Sequence, residues 1–277
     1  MTEPEIPLPP PPEPREPTVP VWAPFAALLA VLIIVSITAA AVYGVVKASD
    51  PTIKSADDLP DAATLALTFF QDLVFVFGAW IAVKLALGTA TLAQLGLRPV
   101  RDWKTALKWA GGAYAIFWGI ALVLALVFGN PDDQNLVTDL KAENSTLILI
   151  GWAVLICVLA PVVEEFFFRG FMFGVFVKRM PLLWAALLDG VVFGLGHAPA
   201  APIQLIALGA FGFGLCLLYW RTQSIIPCMA LHALNNSITF GATKDLDGGL
   251  FAAVVVLSVG TVIAGGTAVA RRAAVAG

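Results

Sequence analysis

Eight apolar stretches separated by short polar breaks dominate the pattern along the chain. They run near 22–46, 62–87, 106–128, 145–177, 181–198, 203–220, 225–241 and 249–270, and they reach or approach the roughly 20 residues an α-helix needs to cross a bilayer. Stretches 18–46, 109–131, 144–163 and 248–270 contain no charged residue at all. The fifth and sixth share one uncharged run from Gly190 to Trp220, interrupted only by His197, and Pro199 and Pro202 divide it into two helices. The pattern predicts an all-α fold, a polytopic membrane helix bundle of about eight transmembrane helices. It divides into a proline-rich disordered tail (1–21), a group of N-terminal transmembrane helices (22–128), a helical core (145–241) and a last transmembrane helix with its tail (249–277). No internal repeat stands out, which argues against a repeat-built transporter.

Composition supports the same class. Of 277 residues, 59% are hydrophobic and 13% charged, where an ordinary soluble domain carries roughly 25% charge. A mean hydropathy of +0.88 excludes a soluble globule, a disordered chain, collagen and a disulfide scaffold. The net charge is only −3, and no dense Lys/Arg run offers a surface for nucleic acid. Cys157, Cys216 and Cys228 all lie in apolar stretches without a C-x-x-C pair, and are expected to be small buried residues. Ten of the first 24 residues are proline, and residues 1–20 lack the basic start and apolar middle of a signal peptide. The tail is expected to be extended and solvated.

Short cytoplasmic loops carry the excess of Lys and Arg. With both termini inside, the inner side holds Arg15, Arg98, Arg101, Lys104, Lys108, Lys178, Arg179, Arg221, Arg271 and Arg272, and the outer side only Lys47, Lys54, Lys141 and Lys244. The expected setting is a bacterial cell membrane with cytoplasmic termini. The segments 131–143, rich in acids, and 242–248 are then outside.

Ionisable groups inside spanning helices cost about 2.5–3.5 kcal/mol each on insertion scales, so each marks a candidate site. Asp72, Glu164, Glu165, Arg169, Asp189, His197 and His232 stand out, while Lys84 lies near a helix end and can snorkel. The two histidines are the only ones in the chain, and both fall in apolar helices. In Pro161-Val-Val-Glu164-Glu165-Phe-Phe-Phe-Arg169, Glu165 and Arg169 stack at i,i+4 and Glu164 is rotated about 100° away, free of that partner. Pro161 cannot donate to the Cys157 carbonyl, and a kink is expected one turn before the acids. Phe193 lies one turn before His197, with small Gly194 and Gly196 beside it. His232 and Asn236 share a face by the same spacing. Counting helical rise from the inner helix ends puts Glu164 about 21 Å deep, His197 about 24 Å, His232 about 10 Å and Asn236 about 16 Å, levels that only tilts or kinks bring together.

One carboxylate, two imidazoles and an amide activate water in either of two ways. Glu164, His197 and His232 can hold a divalent metal, Zn²⁺ first, with an open position for water. Alternatively Glu164 is a general base, with the His and Asn side chains stabilising the oxyanion. The residues alone leave both open.

The three fragments, in this order on successive membrane segments, resemble the CPBP intramembrane protease family, which includes CAAX prenyl endopeptidases and bacteriocin-processing or self-immunity proteins. E-E-x-x-x-R is matched by Glu164, Glu165 and Arg169, F-x-x-x-H by Phe193 and His197, and H-x-x-x-N by His232 and Asn236. The resemblance covers roughly 145–240. It implies an endopeptidase acting on a membrane-associated protein or peptide, with Glu164, His197, His232 and Asn236 catalytic and Glu165, Arg169 and Phe193 supporting them. The sequence has no H-E-x-x-H and no G-x-S-x-G, and neither Asp72 nor Asp189 sits in a Gly-x-Gly-Asp setting. The competing readings are a proton- or cation-coupled transporter and a non-catalytic immunity or scaffold protein.

Overall fold

The computed structural model describes residues 18–129, 140, 143, 145–197 and 201–276. The segment 131–138, Asp133 within it and the first 17 residues of the tail lie outside the described residues. Each apolar stretch becomes a helix whose ends are set by residues that cannot continue it. Helix α1 (Ala23–Ser49) opens with Pro24 in its first turn. Helix α2 (Asp61–Leu87) stops at Gly88, whose φ of 76° is a left-handed conformation. Helix α3 (Trp103–Phe128) is capped by Asp102, which accepts from the backbone N–H of Lys104 and Thr105. The Thr105 hydroxyl, first among these donors, holds the Asp102 carboxyl below its ordinary range. The cap is therefore intact at neutral pH and is lost only as pH falls through that depressed value.

Helix α4 (Thr146–Phe176) is a continuous apolar span of 31 residues. Helix α5 (Leu182–Leu195) follows Pro181. Helix α6 (Pro202–Thr222) starts on a proline and ends at Gln223 in the left-handed region. Helices α7 (Ile226–Thr243) and α8 (Gly248–Ala276) complete the chain. Among the described residues there is no strand.

Among the described residues, six helices are long and apolar enough to cross a membrane: α1, α2, α3, α4, α6 and α8. The expected bundle of about eight helices is present, and the other two are less suited to span by length and composition. Helix α5 has only 14 residues, about 21 Å at helical rise, short of the roughly 30 Å hydrocarbon core. Helix α7 is diluted by His232, Asn235, Asn236 and Ser237. One face of α5, with Ala185, Asp189 and Phe193, and most of α7 are buried against neighbouring helices, which supply partners that lipid cannot.

Helices α5 and α6 pack backbone to backbone. A Cβ at Gly190 would lie 2.6 Å from the Gly209 carbonyl oxygen, and one at Gly194 would lie 2.5 Å from that of Leu205. The close approach therefore uses Gly190 and Gly194; Gly196, expected to share in it, has no such neighbour on α6. Gly194→Ala is expected to cost about 1–3 kcal/mol by overpacking, measurable as a lower thermal midpoint of the purified protein in detergent. Gly44→Ala, where nothing lies within 4 Å, is the control and should leave that midpoint in place.

The loop 88–102 turns back into the bundle. Leu95 is fully buried, a Cβ on Gly170 would meet its carbonyl oxygen at 2.2 Å, and the Gly96 carbonyl accepts from the Ile225 N–H at 3.0 Å. Gly96 is itself left-handed, with φ 80°. Arg98, Arg101, Lys178, Arg179 and Arg221 line neighbouring cavities at this end of the bundle. The far end carries Lys54 beside Tyr43, and Lys244 bound to the carbonyls of Leu140 and Glu143. All three cysteines are free and buried, so an introduced cysteine can be labelled alone. With the basic end inside, Asp57→Cys is expected to react with an impermeant maleimide in intact cells and Lys104→Cys only after lysis. The reverse pattern would invert the orientation.

Candidate active site

Helix α4 is not α-helical throughout. Residues Leu155–Leu159 and Phe166–Phe173 are π-helical, and the acidic pair sits on the α-helical segment Ala160–Glu165 between them. The first π stretch follows from the sequence. The Ala160 N–H reaches back five residues to the Leu155 carbonyl, and in that register the Ile156 carbonyl would need a donor from residue 161. Pro161 has none. The Asn236 side chain supplies it instead, donating Nδ2–H to the Ile156 oxygen at 2.9 Å. At Pro161 the hydrogen-bond register changes, and the carbonyl left without a backbone donor is that of Ile156, not that of Cys157 as four-residue spacing implies.

The two glutamates diverge as the 100° step requires. Glu165 is fully buried, and its Oε1 accepts from Arg169 Nη1 at 2.9 Å. The same oxygen accepts from His232 Nδ1, also at 2.9 Å. Glu164 faces the other way: its Oε2 lies 4.0 Å from His197 Nε2 and 3.9 Å from His232 Nε2, and has no hydrogen-bond partner among the described residues. His232 thus touches both acids, one through each ring nitrogen.

His197 lies beyond the end of α5, in a turn, not within a helix as expected from the apolar run. Its backbone N–H bonds the Gly194 carbonyl. Its Nδ1 lies 2.8 Å from the Phe193 carbonyl oxygen, which can only accept, so Nδ1 carries the proton. The neutral ring then presents a lone pair at Nε2 toward Glu164. His232 is in the same tautomer, because the Glu165 carboxylate holds its Nδ1–H. Phe193 is packed among these groups: its ring centroid is 4.8 Å from that of His197 and 5.7 Å from that of His232, and the Arg169 guanidinium lies 4.4 Å over it.

Arg169 is held by more than its helical neighbour. Its Nε lies 3.7 Å from Asp189 Oδ1, and both side chains are fully buried. Cys216 donates its thiol to the same Asp189 oxygen at 3.1 Å. Gly212 makes room for this group, since a Cβ there would stand 3.0 Å from Arg169 Nη2. On α2, Asp72 is buried and leaves Oδ2 without a hydrogen-bond partner among the described residues. Lys84 is in the last turn of α2 and exposed.

Depth counting misjudged His232. The start of α7 is not at the surface: Ser224, Ile225 and Ile226 are fully buried beneath the loop 88–102, to which Ile225 and Ser224 are bonded. A π-helix also rises less per residue than an α-helix, which brings Glu164 nearer to the inner end of α4.

Glu164, His197 and His232 are the donor types of a three-ligand zinc site. Their separations of 4.0 and 3.9 Å exceed the edge of about 3.4 Å expected between ligands of a tetrahedral zinc. Among the described residues, no group of three His, Cys, Asp or Glu side chains is arranged to hold a metal ion.

Residues 146–238 match the family model for the type II CAAX prenyl endopeptidase, Rce1-like. That range contains every residue of the three fragments. The match agrees with the resemblance of this segment to the CPBP family. A curated relative, the “Putative membrane peptidase YdiL” of Bacillus subtilis (strain 168), is 31% identical over 80 residues, which are 29% of this chain and 32% of that protein. The chain thus matches about a third of the length of this relative. No solved structure matches the chain. Helices α1 to α3, with Asp72, lie outside the family segment.

Proposed function

We propose that the chain is an intramembrane endopeptidase that hydrolyses a peptide bond of a membrane-associated protein or peptide with water activated at Glu164. The observation that carries this reading is the convergence of three acceptors, Glu164 Oε2, His197 Nε2 and His232 Nε2, from α4, the turn after α5 and α7. Acceptors 4 Å apart do not bond one another; they are spaced to share the protons of a donor between them. Glu164 and His197 also keep 23% and 29% of their side chains accessible, while Glu164 Oε2 itself is covered.

In this mechanism Glu164 removes a proton from water as the oxygen attacks the carbonyl carbon. His232, backed by the Glu165 carboxylate, is suited to take that proton from Glu164 at Nε2 and pass it to the departing amine, which returns Glu164 to its ionised form, because the Glu165 carboxylate stabilises the imidazolium in between. Neutral His197 and His232 present lone pairs, so in that form they do not stabilise an oxyanion. Asn236 is the one donor among the four proposed catalytic residues: one amide N–H is taken by Ile156, and the other serves the oxyanion.

A divalent metal such as Zn²⁺, held by Glu164, His197 and His232, would lower the pKa of its water. The wide donor spacing favours the metal-free route. Hydrolysis is expected to persist in protein stripped of metal and verified so by elemental analysis. Loss that is reversed by adding Zn²⁺ back would reinstate the metal. The substrate reading is tested by comparing protein N- and C-termini in membranes of cells carrying the native chain or Glu164→Ala: termini that depend on Glu164 support a peptidase, and identical sets overturn it.

A further inference from the structure

At the basic end of the bundle a cavity of about 840 Å³ opens between the end of α2, the loop 88–102 and the end of α4. Among the described residues Arg98, Lys178 and Arg179 line it, and no Asp or Glu does. Among the described residues none of the three is in an ion pair. Two are held in place by neutral oxygens: Arg98 Nε donates to the Ala93 carbonyl at 2.9 Å, and Arg179 donates to the Thr18 hydroxyl. These bonds position the guanidinium groups without neutralising them. An anion would meet charge from two chain segments at once.

A second cavity adjoins it. The groove between α1 and α2, about 760 Å³, is walled by side chains that are almost all hydrocarbon, Ala26, Ala30, Phe77 and Leu85 among them. The two share a border: Val19, Val83 and Leu87 line the basic cavity, and their chain neighbours Pro20, Ala82 and Ala86 line the groove. A cationic pocket beside a long apolar slot, at the end of membrane-spanning helices, matches a molecule with a negative head and a hydrocarbon tail.

We infer that this composite cavity binds an anionic phospholipid, its phosphate among Arg98, Lys178 and Arg179 and an acyl chain between α1 and α2. A free phosphate ion shares the head chemistry but has no use for the slot. The inference is independent of the peptidase reading, since it uses none of that site's residues.

The test is equilibrium binding to the full chain, purified in neutral detergent, with a short-chain fluorescent phosphatidylglycerol as probe. Phosphatidylcholine with the same chains and inorganic phosphate are the comparison arms. Phosphatidylglycerol should bind saturably and at least about tenfold more tightly than phosphatidylcholine, and inorganic phosphate should be a poor competitor. The triple variant Arg98→Gln, Lys178→Gln, Arg179→Gln should remove most of that preference. Ala30→Trp, which fills the groove, should weaken both lipids. If the triple variant does not fold, Lys178→Gln alone, an exposed position, must lower phosphatidylglycerol affinity severalfold. Equal binding of the two lipids, unchanged affinity in the charge variants, or displacement by phosphate at the concentration where phosphate binds by itself would each overturn the inference.

Discussion

Glu164→Gln is expected to abolish hydrolysis and leave the protein folded. The substitution keeps the volume and shape of the side chain, and it removes no hydrogen bond from Oε2 because none is made there among the described residues. What it removes is basicity: a neutral amide cannot take the proton of the attacking water. A loss of about 10²–10⁴-fold is the usual worth of a general base, and more is expected if Glu164 and the two histidines act as one unit, in which case adding His197→Ala or His232→Ala makes little further difference. Turnover of a membrane-protein substrate, measured beside a thermal melt of the same sample, checks both halves. Retained turnover would take the assignment away from Glu164, and a collapsed melt would make it a structural residue.

Arg169→Ala has the second large effect, and on stability first. The guanidinium lies between two fully buried carboxylates, 2.9 Å from Glu165 and 3.7 Å from Asp189, and over the ring of Phe193. Its loss leaves two acids buried without their cation, where breaking one side of a buried pair already costs about 3–5 kcal/mol. Folded yield and thermal midpoint should fall, and activity with them, because Glu165 also fixes the tautomer of His232. Removing both sides is less harmful than removing one. Glu165→Gln with Arg169→Met should recover part of the midpoint, and adding Asp189→Asn should recover more. A double-mutant cycle without coupling between Glu165 and Arg169 would shift the partnership to Asp189.

Local geometry made part of this site legible in the sequence. The i,i+4 step joined Glu165 to Arg169 and Phe193 to His197, and the single-residue step separated Glu164 from Glu165. Those are properties of one helix and need no fold. The bond from His232 to Glu165 spans 67 residues, and no periodicity encodes it. Asp189 is visible as an acid in an apolar helix, and its approach to Arg169 depends on how α4 and α5 pack. The depth of His232 failed because it was counted from a helix start assumed to lie at the surface, whereas Leu95 and Gly96 fold over that start. The role of Asn236 at Ile156 was hidden for a different reason. It depends on the change from four- to five-residue hydrogen bonding before Pro161, and that register change leaves no mark in an unbroken apolar run.

The alternation of registers along α4 also makes it a shaft with two adjustable joints. A five-residue-bonded turn uses about one more residue than a four-residue-bonded one for the same rotation, so taking one residue out of Leu155–Leu159 and restoring four-residue bonding would keep Thr146–Val154 close to its bearing. The same deletion in a stretch already in four-residue bonding would turn everything beyond it by about 100°. The joints therefore absorb single-residue changes in chain length that the α-helical segment Ala160–Glu165 between them could not.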